Sequence, residues 1–152
     1  MEIRRVLLRA RYCAAMAQEN VEMLRSVYEA FNRGDFEAVM RAVHPDIEFV
    51  RFGGQSPVRG PAALREWMEP DAFEDQRFEP LDFTSNGNKV LVRHHFTGRG
   101  AGSGMALDFT SFAVFTLDDD GLVTRLEAFF PYEETEALEA VGLSEQDAHV
   151  GS

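Results

Sequence analysis

The strongest constraint on this 152-residue chain lies in its second half, where alternating apolar and polar residues are interrupted twice by tight-turn signals, Ser85-Asn86-Gly87-Asn88 and Asp118-Asp119-Asp120-Gly121. Strand side chains point alternately to the two faces of a sheet, and Asn-Gly or Asp-Gly supplies the positive φ that a tight hairpin needs. The runs Arg77–Thr84, Lys89–Thr97, Met105–Leu117 and Leu122–Phe130 are therefore predicted to form an antiparallel meander, with Gly98–Gly104 as a flexible connection.

The first half carries a different period. Val21, Leu24, Val27, Tyr28 and Phe31 recur at three- and four-residue steps, which predicts a helix over Asn20–Arg33 capped by Gly34. Asp35 can accept hydrogen bonds at the start of a second helix, whose Phe36, Val39, Met40 and Val43 share one face before Pro45 stops it. Ile47–Phe52 reads as a short strand and the stretch GGQSPVRG as a loop. Gly60-Pro61 then opens a third helix through Met68, with Leu64, Trp67 and Met68 on its buried side. After Pro131, Tyr132–Val141 reads as a last helix capped by Gly142. The predicted order is α-α-β-α-β-β-β-β-α, an α+β fold with helices packed on one face of a curved antiparallel sheet.

A chain of this length fits one domain with a core of its own. A formal net charge of −11 disfavours nucleic acid as a partner, and no apolar run approaches the length of a membrane span. The single cysteine, Cys13, cannot form an internal disulfide, which suits a reducing cytoplasm. The first fifteen residues are basic, with Arg4, Arg5, Arg9 and Arg11 against Glu2 alone. A secretory signal, an Arg-rich presequence or membrane-surface helix, and a disordered or loosely docked extension compete for them. The arginines break the apolar core that a signal needs, so the extension is the favoured reading, ahead of a domain at 16–145 and a tail at 146–152 that holds His149.

This order, together with YEAFNRGD at 28–35, HPDIEF at 44–49, VRG at 58–60, GRGAGSG at 98–104 and EALEAVGL at 136–143, resembles the SnoaL-like branch of the nuclear transport factor 2-like superfamily over residues 16 to about 145. The resemblance implies a cone-shaped half-barrel in which a bent sheet wraps around helices and leaves a mostly apolar pocket. It does not imply one reaction, because the superfamily includes ketosteroid isomerases, polyketide cyclases, scytalone dehydratase, limonene epoxide hydrolase and non-catalytic binding or dimerising domains. Carried over by position, the isomerase base falls at Arg51, its second acid at Ala113, and its helix-one tyrosine at Val27, next to Tyr28. The acid-base aspartate expected of SnoaL-like cyclases falls near Pro131. A steroid-isomerase assignment therefore fails, and the cyclase aspartate is missing.

Strand alternation narrows the candidates. In VRHHFTGRG, at 92–100, the set Val90, Val92, His94 and Phe96 is the more apolar and should face inward, which turns His95 outward and dissolves the histidine doublet as a motif. The same logic, helped by the resemblance, places Ile47, Phe49 and Arg51 inward on the first strand. On the long strand it places Leu107, Phe109, Ser111, Ala113 and Phe115 inward, and on the last strand Thr124, Leu126, Ala128 and Phe130. Phe31 and Trp67 join this pocket wall from the helices.

His94, Arg51 and Tyr28 are then the candidate catalytic groups. An imidazole exchanges protons near neutrality, a guanidinium fixes a carboxylate or enolate oxygen, and a phenol donates a hydrogen bond. Each also has a plain structural reading: a buried neutral imidazole, a rim ion pair, a core ring. Ser111 could bond His94 or leave pocket volume. His44, before Pro45, reads as a group near a helix C-terminus. No metal spacing is present, and the glycine run lacks the order and following helix of a nucleotide cradle, so no cofactor is expected. Leu91, Phe112, Val114, Val123 and Phe129 form a second apolar set on the outer face, read as a homodimer surface. Two functions follow: a cofactor-free acid-base enzyme (isomerase, cyclase, dehydratase or hydrolase) acting on a small apolar carbonyl or carboxylate compound, or a non-catalytic small-ligand-binding or dimerisation domain.

Overall fold

The computed structural model describes residues 2–53, 55–69 and 73–143, with side chains described from Met16 onward. Helix α1 (Glu2–Asn32) begins at Glu2 and not at Asn20. Residues 2–19 hold neither Gly nor Pro and are rich in Ala, Arg, Leu, Glu, Met and Gln, which propagate a helix without needing an apolar stripe. The backbone of the basic segment is thus continuous with α1; the Cys13 side chain, the tail at 146–152 and His149 lie outside the described residues. No helix among the described residues is long and apolar enough to cross a membrane.

Gly34, at φ +78, turns the chain sharply out of α1. The Oδ1 of Asp35 accepts the N–H of Ala38 at 3.2 Å and caps α2 (Phe36–Arg41). α2 is shorter than its apolar spacing implies: Val43 opens strand β1 (Val43–Val50) and sits beside Val123 in the sheet. His44 therefore lies in a strand, where its Nδ1 accepts the Asp46 N–H, and not at a helix end. The loop after β1 contains a two-residue strand, β2 (Val58–Arg59), paired antiparallel to β1. α3 (Pro61–Met68) follows Gly60 with Pro at its first position, and it buries Leu64 and Met68 with Trp67 partly covered.

The meander comprises β3 (Phe73–Asn86), β4 (Lys89–Gly100), β5 (Ala106–Leu117) and β6 (Val123–Phe129). The strand order β2-β1-β6-β5-β4-β3 makes one curved, unclosed six-stranded sheet. It is mixed and not wholly antiparallel, since β1 runs parallel to β6. Turn signals specify only strands adjacent in sequence, so a pair joined through four intervening strands leaves no local trace.

Gly98, Arg99 and Gly100 belong to β4, and only residues 101–105 form the connection to β5. A Cβ at Gly98 would lie 2.9 Å from Cζ of Phe96, so the bare backbone is what lets that ring lie along its own strand. β3 is an edge strand broken by two irregularities, one at Asp75 and Gln76 and one at Leu81, beside Pro80. A proline and extra unpaired residues blunt such an edge against further pairing.

The inner face of the sheet packs Val90, Val92, Ala113, Phe115 and Leu126 against Leu24 and Tyr28 of α1. On the outer face Leu91, Phe112 and Val114 are buried, and α4 (Glu134–Ala140) is what covers them, through Ala137 and Leu138 with Val141 just beyond. Leu91, Phe112 and Val114 of the outer set are thus covered within one chain by α4. Phe129 packs at the edge of that cluster, whereas Val123 faces the opposite side, in the inner core. The reason is a bulge: Leu117 pairs with Val123 but Thr116 with Arg125, so Thr124 is an extra residue and the alternation reverses across it. Thr124, expected inward, instead gives its hydroxyl proton to the carbonyl of Thr116.

Candidate active site

A cavity of about 80 Å³ lies between α1, α3, β1 and the inner face of the sheet, and its walls expose only apolar surface. Nine of the residues expected to face inward line it: Tyr28, Phe31, Trp67 and His94, and the sheet residues Ile47, Ala113, Phe115, Leu126 and Ala128. Val27, Phe52, Phe78, Met68 and Val123 line it as well. Phe78 was hidden because β3 has no clean alternation around Pro80, and Val123 because of the bulge.

Five expected wall residues stand behind or beside the cavity. Phe49 is fully buried behind Trp67, with ring centroids 4.8 Å apart. Phe96 and Phe109 pack on each other at 5.1 Å, and Phe78 meets Phe96 at 4.9 Å, so one ring layer separates them from the space. Phe130 stacks between Phe52 and Tyr132, at 4.8 and 5.4 Å. Ser111 is completely buried on the far side of His94.

Arg51 does not line the cavity either. β1 ends at Val50, so the alternation that groups Arg51 with Ile47 and Phe49 stops short of it, and Phe52 occupies the wall in its place. The Nε of Arg51 is buried without a hydrogen-bond partner among the described residues. Among the three candidate catalytic groups, His94 and Tyr28 line the cavity and Arg51 does not.

What it builds is a line of three polar groups. The hydroxyl of Tyr28 lies 2.7 Å from Nδ1 of His94, and Nε2 of His94 lies 2.9 Å from Oγ of Ser111. Helix α1 brings in Tyr28 because it is the buried position one turn after Leu24. Strands β4 and β5 bring in the other two as a direct cross-strand pair, His94 opposite Ser111. Rings enclose the line: His94 meets Phe78 edge-on at 4.8 Å, and Tyr28 meets Phe115 at 6.1 Å.

Burial lowers the pKa of His94 to about 4, because a cation here would lose its water without gaining a counter-charge. Burial raises the Tyr28 phenol above its usual range for the mirror reason, since it disfavours phenolate. Both groups are neutral at pH 7. No lining residue is a carboxylate, Lys or Arg, and Tyr28 and His94 are the lining residues that carry a titratable group. Among the described residues no group of three or more His, Cys, Asp or Glu is placed to hold a metal ion. His95 turns outward, where its Nε2 contacts Oδ1 of Asp108 at 2.7 Å.

Comparison with known proteins agrees with this architecture. TerC, crystallised with polyporic acid, is 25% identical, with 80% of this chain and 96% of that one aligned at a TM-score of 0.64. A proposed polyketide cyclase from Sinorhizobium meliloti is 28% identical over 70% of this chain and 93% of its own, at a TM-score of 0.58. One from Xanthomonas campestris pv. campestris is 22% identical over 77% and 93%, at 0.67. No curated protein matches the chain in sequence. The family model of the SnoaL-like domain matches residues 24–126, which span α1 from Leu24 to the middle of β6 and include Tyr28, His94 and Ser111. The chain belongs to the SnoaL-like domain family.

Proposed function

We propose that this chain binds one compact, largely apolar organic molecule bearing a carbonyl or similar oxygen, and that the Tyr28 hydroxyl is the group that meets that oxygen. The observation that carries the reading is a cavity whose exposed lining is wholly carbon, with Tyr28 among its lining residues. Apolar walls supply affinity through area removed from water, and one well-placed polar group orients the ligand. A relative crystallised with polyporic acid supports an organic ligand in this fold.

Size limits the ligand. A cavity of about 80 Å³ is smaller than the ~150 Å³ apolar cavity that accepts benzene, so a ring-sized ligand requires part of the wall to yield. Phe52 is the wall residue suited to that, because it sits beyond the end of β1 in a loop and is held by stacking on Phe130.

Acid-base catalysis on the same ligand is the second reading, and the imidazole 2.7 Å behind the phenol favours it. The absence of any carboxylate or guanidinium from the lining, and a histidine too weakly basic to abstract most carbon-bound protons, put ligand binding first. A thermal-shift panel of apolar ketones, followed by calorimetry, tests the proposal. A ligand present at 100 times its dissociation constant adds ~2.7 kcal/mol of stability, and Tyr28→Phe is expected to weaken ketone binding roughly threefold to tenfold. A panel in which no ketone raises the unfolding midpoint overturns the reading. Turnover of a bound ketone would promote the enzymatic one.

A further inference from the structure

Among the described residues that line the cavity, Phe52 and Ala42 are the two that lie outside a helix or strand. Ala42 is tied down on both sides: its N–H donates to the carbonyl of Val39 at 3.0 Å, and its own carbonyl accepts the N–H of Val123 at 2.9 Å. Phe52 is held more loosely. Its carbonyl accepts from the exposed side chain of Gln55 at 3.2 Å, and Gly53 follows it at φ +78, a residue free to change its backbone angles. We infer that Phe52 is a hinged panel over the cavity, closing against a fixed post made by Phe130 and Glu133, and that this closure sets the size of ligand the chain selects. The inference rests on the proposed ligand-binding role of the same cavity.

The post is rigid by comparison. Phe130 donates its N–H to Oε1 of Glu133 at 2.8 Å and accepts the Glu133 N–H on its carbonyl at 2.9 Å, so one residue fixes both of its backbone groups. Its ring stacks on Phe52 at 4.8 Å and 25° and on Tyr132 at 5.4 Å and 16°. Neither Phe130 nor Glu133 lines the cavity, whereas Phe52 lines it and is also partly exposed. At this place a single ring therefore separates the space from water. Val27, Phe31 and Trp67 are partly exposed lining residues too, but they ride on α1 and α3, whose neighbouring side chains are built into the core.

Swinging Phe52 outward sacrifices its stack on Phe130 and a looser contact with Trp67 at 6.4 Å. Displacing any other part of the wall disturbs a helix, a strand or the bonded backbone of Ala42. Phe52 is thus the least costly way in. With the panel closed, the space of about 80 Å³ is too small for a ring, since benzene occupies apolar cavities of ~150 Å³. A molecule well below benzene in size fits beneath the closed panel, whereas a ring needs it open. Apparent affinity for a ring is then the intrinsic affinity reduced by the fraction of open protein, and affinity for the smaller molecule carries no such factor.

Trp67, the one tryptophan of the chain, lines the cavity, so saturable quenching of its fluorescence reports an occupant that carries a heavy atom. Bromoethane and bromobenzene, followed by stopped flow, are the small and the ring-sized probe. Phe130→Ala removes the surface on which the panel closes without altering a lining residue. Losing that aromatic pair should raise both the association rate and the affinity for bromobenzene about twofold to tenfold, with its dissociation rate unchanged and the affinity for bromoethane unchanged. Glu133→Ala should act in the same direction more weakly, and Glu133→Gln, whose amide oxygen still accepts the Phe130 N–H, should behave as wild type. Equal gains for both probes, or none for bromobenzene, would refute the panel and mark Phe130 as packing only. Aromatic ¹³C relaxation dispersion on the protein without ligand tests the motion itself, with exchange expected at the Phe52 ring and not at Phe130. A Phe52 ring without exchange overturns the inference whatever the probes do. Exchange at Phe52 with neither probe bound supports the panel and defeats the ligand-binding reading.

Discussion

Ala113 and Val114 are neighbours on β5 with opposite surroundings. Val114 turns outward, is fully buried, and packs in a cluster closed by Ala137 and Leu138 of α4. Ala113 turns inward and forms part of the wall of a cavity that the helices do not fill. Both faces of the sheet are apolar, but a short helix laid flat seals one, whereas on the other the long α1, the short α3 and the curvature of the sheet leave a space between them. Apolar character says that a face will be covered. What covers it, and how completely, depends on elements far away in sequence.

The sharpest way to break this comparison is to damage the seal. Leu138→Ala removes a buried side chain from α4 and is expected to cost about 2–5 kcal/mol in denaturant unfolding, independent of protein concentration. If the outer face were instead an interface with a second copy, the loss would shrink as concentration rises. Sedimentation of the two proteins at several concentrations separates these outcomes.

The inner face should respond to pH through His94. Its folded pKa of about 4 lies below the unfolded value near 6.5, so between these values the unfolded chain binds more protons than the folded one. The stabilising contribution is therefore complete above about pH 6.5, falls as the pH drops, and is lost by about pH 4. On the order of 3 kcal/mol is at stake. NMR titration of the His94 ring is the direct check, since carboxylates also titrate in that window. A midpoint near 6.5 would mean that the imidazole is not shielded as described.

Enlarging one small residue on each side sharpens the contrast further. Ala137 is wholly buried in the sealed cluster, so Ala137→Val should overpack it and cost about 1–3 kcal/mol. Ala128 borders the cavity, so Ala128→Val has room to grow and should change stability by less than about 1 kcal/mol while reducing ketone binding. Equal penalties at both positions would show that the cavity does not accommodate added volume.

Much of the fold was legible because its signals are local. The helix stripe at Val21–Phe31, the Asp35 cap, Gly60-Pro61 and the two hairpin turns each act within a few residues, and they placed their elements correctly. The parallel β1–β6 pair, the two-residue β2 and the covering of the outer face by α4 are non-local and were not legible. The candidate site divides the same way. Alternation put His94 inward and His95 outward, and it would have placed Arg51 correctly too had β1 continued to that residue. The bulge at Thr124 reversed an otherwise sound partition, because one extra residue inverts every side chain beyond it. The Tyr28–His94–Ser111 line joins a helix to two strands, and only the pairing register shows that Ser111 sits opposite His94.

The smallest expected effect lies where the outer face is left open to water. Directly across from Phe112, at the rim of the cluster, the same face carries Arg93 bonded to Asp82 at 2.6 Å through its Nε, with both side chains about half exposed. The alternating strand thus switches from apolar to charged where α4 stops covering it, as a sheet face passing from packed to wet requires. Exposed ion pairs gain little because water already solvates both partners, so Arg93→Ala should cost no more than about 1 kcal/mol, less at high salt. A loss near that of Leu138→Ala would mean that the pair is buried in solution by something other than α4. Rising salt then separates the cases: it should erase the difference between wild type and Arg93→Ala if the pair is solvated, and preserve it if a further surface covers that end of the sheet.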